Sequence, residues 1–229
     1  MRVQAWAVPI GPWVTMNQPS IDHELSELNA AVGQGKRARA VELTERLLQL
    51  GAAPGQILDA MVRAMDEVGR RFQCQEIFIP QMLMASRSMS DAMALLAPKL
   101  SASGVKPQYR AVIGTVAGDV HNIGKDLVAM MWRGAGFEVI DLGTNVPASH
   151  FLKAAHEQRP DLIGLSALLT TTMPAVKTTV ETLAQVRANG VRVVVGGAPL
   201  TQSFADAVGA DGYAPDAASA VDLARRLVG

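Results

Sequence analysis

The sequence predicts an α/β protein in two parts, a helical bundle followed by a doubly wound parallel sheet. Apolar residues recur at helical spacing from residue 22 to about 100, and beyond Gln108 short β-rich runs alternate with helical stretches. Between the two patterns, Pro98, Ser101, Ser103, Gly104 and Pro107 give a linker composition. With 229 residues, 49% of them hydrophobic, the chain can bury one large core or two small ones. The expected organisation is an extension over 1–20, a helical domain over 21–98, a linker over 99–108 and a second domain over 109–229.

In the first half, breaks at Gly33 to Gly35, at Gly51 to Pro54 and around Cys74 to Pro80 divide four helices, over 22–32, 36–50, 54–72 and 80–96. Pro54 and Pro80 fall in first helical turns, where a missing N–H leaves no bond unmade. Short connections favour antiparallel neighbours, hence a four-helix bundle. On the last helix Met82, Ala85, Met89, Met93 and Leu96 form one stripe, and Met84, Ser88, Asp91 and Leu95 form another. One face can pack the bundle and the other can cover a ligand; the alternative for any of these methionines is core filling by a flexible side chain.

The second half reads as strands over 110–115, 138–142, 162–167, 192–195 and 212–214, with helices over 123–135, 148–158, 174–189, 201–208 and 216–228. Five such units predict a flavodoxin-like (Rossmann-like) sheet of order 2-1-3-4-5, whose ligands sit at the carboxyl ends of the strands near the switch point between strands one and three. The loop after strand one, Gly118-Asp119-Val120-His121-Asn122-Ile123-Gly124, falls there, and Ser166 ends strand three. A neutral imidazole ligates through one ring nitrogen while the other needs an acceptor to fix the tautomer, and Asp119 is well placed to be that acceptor for His121. Gly124 lets something bulky approach the start of the helix. A loop histidine merely satisfied by its neighbouring Asp is the alternative. A zinc site is disfavoured, because no second His or Cys lies at ligand spacing and Cys74 is remote in sequence.

Asp119-x-His121-x-x-Gly124, followed by Ser166-x-Leu168 and the pair Gly196-Gly197, resembles the cobalamin-binding signature. The resemblance implies a cobalamin or related corrinoid cofactor (methylcobalamin, cob(I)alamin or cob(II)alamin), with His121 as axial ligand to cobalt. Asp119 and Ser166 stand beside it in the catalytic environment, or Ser166 lines the tail pocket. It further implies that Gly118, Val120, Asn122, Ile123, Leu168 and Thr170 surround the cofactor, and that Gly196, Gly197 and Ala198 open a slot for its nucleotide tail. Tyr213 either borders that tail or only packs. Thr172 reads as a helix cap ahead of Pro174. The segment from Glu76 to Met84 resembles the helical cap that shields the corrin in methyl-carrying corrinoid proteins, which makes Phe78, Met82 and Met84 cap candidates.

Taken from about Asp22 onward, cap, linker and corrinoid domain together are similar to the corrinoid proteins of methyltransferase systems serving methanol, methylamines, glycine betaine or methoxylated aromatics. The implied partners are a substrate-specific methyltransferase, a second methyltransferase and a reductive activator. Two rival readings are a cobalamin-dependent sensor, which would need a basic recognition helix ahead of the cap, and the small subunit of an adenosylcobalamin mutase, which would need no cap.

Composition limits the rest. Lys and Arg total 21, as do Asp and Glu, so no basic block argues for nucleic acid or an anionic membrane surface. One cysteine suits a reducing, cytoplasmic setting. No run is long and apolar enough to span a membrane. The first residues carry Trp6 and Trp13 but also Pro9 and Pro12; they lack the apolar core of a secretory signal and read as a poorly ordered extension, with Met16 as an alternative start.

Overall fold

Ser20 opens the first helix by accepting from the His23 N–H through its side-chain oxygen (3.2 Å), and four helices follow in short succession: α1 (Ile21–Gly33), α2 (Arg37–Gln49), α3 (Pro54–Gln73) and α4 (Ile79–Ala102). The computed structural model describes residues 20–103 and 109–229; the expected extension before Ser20, with its tryptophans, and residues 104–108 of the expected linker lie outside the described residues. Leu28, Val32, Leu43, Leu47, Ile57, Met61, Met82 and Leu96 are fully buried and form the bundle core. Both glycine breaks fall where expected, with Gly35 (φ 67°) and Gly51 (φ 79°) in the left-handed region that ends a helix.

The linker starts later than its composition suggests. Helix α4 runs through Pro98 to Ala102. Leu96 and Leu100, one turn apart and both buried, keep the same apolar face packed on either side of the proline, and that burial outweighs the one backbone bond a proline removes.

In the second half the strands are β1 (Tyr109–Thr115), β2 (Phe137–Asp141), β3 (Leu162–Ser166), β4 (Arg192–Gly196) and β5 (Gly212–Ala214), all parallel, in the order β2-β1-β3-β4-β5. This is the expected topology, with the switch point between β1 and β3. The helices are α5 (Ile123–Gly134), α6 (Ala148–Gln158), α7 (Met173–Thr182), α8 (Ala184–Ala188), α9 (Gln202–Val208) and α10 (Ala217–Val228). The single helix expected over 174–189 is thus two, broken at Leu183.

Alternation along the strands sends side chains to two cores. Val112, Ile163, Leu165, Val193 and Val195 pack against α6 to α9. Ala111, Ile113, Leu162 and Val194 face α5 and α10, in a cluster that runs on without a break into the helical bundle. The two halves meet closely: Gly134 lies against Met65 and Gly69 against Met131, while Arg225 pairs with Asp66 (2.8 Å) and Gln73 donates to Asp222 (3.0 Å).

Candidate functional site

Strand β1 ends at Thr115, and the chain crosses to α5 through the loop that carries Asp119 and His121. Thr115, fully buried, donates its hydroxyl to the His121 carbonyl (2.8 Å) and pins the far end of that loop to the strand. Asp119 is fully buried, yet its carboxylate is saturated. Oδ1 accepts from His121 N (3.0 Å) and lies 2.7 Å from His121 Nδ1; Oδ2 accepts from Leu168 N (2.6 Å) and from the Thr172 hydroxyl (3.1 Å). Burial pushes the Asp119 carboxyl up, but the Leu168 and His121 N–H groups, the His121 ring and Thr172 outweigh it and hold the group well below the usual carboxylate range. The carboxylate is therefore ionised at neutral pH. With Nδ1 committed to Asp119, the nitrogen available for ligation is Nε2.

His121, with its side chain half exposed, stands at a cavity of about 620 Å³. The cavity enters between the β1–α5 loop and the segment after β3, then runs along the sheet between α5 and α10, lined by Gly164, Trp132, Val194 and Ala220 among others. Three glycines stand at its wall where neighbouring protein atoms come too close for a side chain. A side chain at Gly164 would meet the Trp132 ring, and at Gly197 (φ 128°) a Cβ would overlap the Ala167 carbonyl. At Gly196 it would come within 3.2 Å of the Ala214 carbonyl oxygen. Gly124 differs, since a Cβ there meets nothing within 4 Å although the residue lines the cavity.

Val120, His121, Asn122, Ile123, Gly124, Ser166, Leu168, Gly196, Gly197 and Ala198 all border this cavity. Val120 (71%) and Ile123 (77%) are strongly exposed for apolar side chains, and Leu168 joins them at the mouth. Such an apolar rim around a single imidazole suits a flat, largely apolar ligand.

Other expectations need correcting. The hydroxyl on Asp119 belongs to Thr172, which uses its side chain there rather than to cap α7; of the two places open to Ser166, it takes the one bordering the cavity. Thr170 is exposed in a short 3-10 turn (Thr170–Thr172) and does not line the cavity. Gly118 stands behind the loop with φ 82°, its N–H bound by Asn145 (2.8 Å) rather than facing the cavity. Tyr213 packs on the opposite core, because strand alternation turns it away while Ala214 faces the cavity. In the helical half, Met82 is fully buried in the bundle. Met84 is half exposed but sits against Gly35, and Phe78 is exposed beside the site rather than lining it. Phe72 and Ile79, flanking the α3–α4 turn, are the bundle residues that reach the cavity. An apolar residue just before and just after a helix break was the signal for them in the sequence.

Lys125 was also missed. Its ammonium is buried at the cavity wall between Asp126 and Asp141 (2.5 Å each), with Asn122 donating to Asp126 (3.0 Å). Among the described residues no cluster of three or more His, Cys, Asp or Glu could hold a metal ion.

Comparisons with known proteins agree with this geometry. Two models, each described as a B12 binding domain, match residues 109–222 and 24–97. The dimethylamine corrinoid protein 2 of Methanosarcina acetivorans is 38% identical over 207 residues, covering 89% of this chain and 95% of that protein. The chain belongs to the corrinoid protein family. Its cofactor is accordingly a cobalamin-type corrinoid, which the donor set fits: one imidazole at the mouth of a long slot lined by Gly164, Gly196 and Gly197. Among solved structures, a cobalamin-binding protein from Desulfitobacterium hafniense matches with a TM-score of 0.74 at 30% identity, over 90% of this chain and 98% of that one. The methanol:cobalamin methyltransferase complex of Methanosarcina barkeri matches with a TM-score of 0.79 at 29% identity, over 90% of this corrinoid protein and 80% of that chain. No described helix is long and apolar enough to cross a membrane.

Proposed function

We propose that this corrinoid protein is a methyl carrier, which takes a methyl group from a donor held by a substrate-specific methyltransferase and passes it to a second methyltransferase, with tetrahydrofolate or a thiol as final acceptor. The observation that carries this reading is the lone His121 imidazole, backed by buried Asp119, at the mouth of a glycine-lined slot beneath apolar Phe72 and Ile79. When bound, the corrinoid supplies a cobalt centre that accepts and releases the methyl group. The chain supplies the surroundings. His121 would hold the metal through Nε2, with Asp119 fixing its tautomer and raising its basicity, steadied by Leu168 N and Thr172. Gly196 and Gly197, which line the cavity along the sheet, would border the nucleotide tail of the cofactor. Phe72 and Ile79 exclude water and oxidant from the other side.

Two relatives support the partner class: one is named for dimethylamine, and the other was solved in a methanol:cobalamin methyltransferase complex. Likeness to both systems agrees with substrate choice residing in the partner methyltransferase. A reductive activator would complete the system by keeping the bound corrinoid reduced. The test is to isolate the protein with its partner from the native host, reduce the bound corrinoid, and offer methylamines, methanol, glycine betaine and methoxyarenes separately. Conversion of the reduced spectrum by one donor class, in the presence of the copurified methyltransferase only, is expected. An adenosyl rather than methyl upper ligand would refute the carrier role in favour of a mutase subunit or a sensor.

A further inference from the structure

We infer that Asn145, which lies outside the cavity, is a positioning residue that sets the attitude of the histidine loop; the inference rests on His121 being the axial ligand. The loop between β1 and α5 has little regular structure to hold it, apart from an isolated bridge between Val116 and Val146. Asn145, in the loop between β2 and α6, binds that loop twice. Its Oδ1 accepts from Gly118 N (2.8 Å) and its N–H donates to the Asp119 carbonyl (2.8 Å). These bonds grip the backbone on either side of the Gly118–Asp119 peptide, one residue from the carboxylate that orients His121.

The clamp is itself anchored. Next to Asn145, Val146 N donates to the Thr115 carbonyl (2.9 Å), and Thr115 N donates to the Gly143 carbonyl (2.9 Å), so the grip is referred directly to strand β1. On the other side of Asp119, Leu168 N and Thr172 hold the carboxylate from the end of β3. The backbone is thus fixed by one loop and the side chain by another, with the imidazole hanging from the result.

Asparagine suits the position for two separate reasons. Its φ is 54°, a left-handed conformation that Asn tolerates and most side chains do not, and its side chain is an acceptor of the right reach. Glycine keeps the backbone angle and loses the acceptor; aspartate keeps the acceptor. Asn145 and Gly118 are both exposed, so water can take over the freed Gly118 N–H and the fold should survive the loss.

The experiment compares full-length, corrinoid-loaded wild type, His121→Ala, Asn145→Gly and Asn145→Asp. Electron paramagnetic resonance of the Co(II) form reads imidazole ligation, and a cyanide titration of the Co(III) form, followed by the visible shift to the dicyano spectrum, reads how easily the imidazole is displaced. Asn145→Gly should bind corrinoid at wild-type occupancy, yet yield its imidazole at a cyanide concentration about 2- to 10-fold lower, the weight of one hydrogen bond. Asn145→Asp should restore the wild-type midpoint. An unchanged midpoint in Asn145→Gly would overturn the inference, as would its failure to fold or to take up corrinoid, since the residue would then serve the fold. Absence of imidazole hyperfine structure in the wild type would overturn both this inference and the reading of His121 on which it rests, whereas its presence in wild type and loss in His121→Ala upholds that reading whatever Asn145 does.

Discussion

Gly124→Ala separates what the fold requires from what the cofactor requires. Gly124 is the second residue of α5, exposed, with an ordinary helical backbone, and a Cβ placed there meets no atom within 4 Å. In the cofactor-free chain the substitution should be neutral or stabilising by up to about 0.5–1 kcal/mol, the usual gain from replacing Gly by Ala in a helix. In the loaded protein the added methyl projects toward the space where the corrin would approach His121. Forcing a methyl into a close-packed contact costs about 1–3 kcal/mol, so corrinoid affinity should fall roughly 5- to 150-fold. Denaturant unfolding of the cofactor-free protein gives the first quantity, and spectral titration with aquocobalamin gives the second. Unaltered affinity would show that nothing packs against Gly124, and a destabilised cofactor-free chain would show that the glycine serves the fold; either result defeats the argument that this residue exists to admit the cofactor.

Four further outcomes are expected. His121→Ala should retain corrinoid through the tail slot but lose nitrogen hyperfine structure from the Co(II) resonance signal, and persistence of that structure would disprove axial ligation. Asp119→Asn should lower methyl transfer on the order of 10- to 100-fold, more than it lowers corrinoid occupancy, as measured by single-turnover transfer from a methylated sample. Ile79→Ser in the full chain should speed the decay of Co(I) absorbance under a fixed trace of oxygen at equal occupancy, and an equal rate would remove the bundle from its shielding role. For Asp211, burial pushes the carboxyl up, but Arg187 (3.0 Å) and Val193 N (2.8 Å) outweigh it, so its folded-state pKa lies below its unfolded value. Its contribution is present above the ordinary carboxylate pKa and is lost as pH falls through the depressed one, so thermal midpoints of wild type and Asp211→Asn should differ at pH 7 and converge in acid.

Strand alternation and helical period made both halves legible, because each element buries one face and the sequence must repeat accordingly. The Asp119 and His121 pair was legible for a similar reason, since both partners lie in one loop two residues apart. What escaped was set by tertiary placement. Thr172 reaches Asp119 from 53 residues away, and Asn145 grips the same loop from the end of β2; neither spacing has a local signature. The residues that face the cavity from the bundle were not legible, because methionine on a helix reports flexibility of fit, not direction: Met82 took the core-filling alternative, and the turn residues Phe72 and Ile79 line the cavity. For Tyr213 the two readings left open were separated by strand alternation, which turns it to the opposite core, where it only packs.

The unbroken core that joins bundle and sheet domain gives α5 and α10 two buried sides. Their inner faces meet the strands, and Met131, Ala218 and Val221 on the outer side meet Met65 and Gly69 of α3 or lie beside them. Any swing that lifts the bundle to admit a partner therefore strips cover from greasy surface as well as parting the Asp66–Arg225 and Gln73–Asp222 links. Water disfavours that exposure at roughly 25 cal/mol for each square ångström laid bare. A chain opened in this way would consequently be a sticky one, stable only while something else occupied the vacated face.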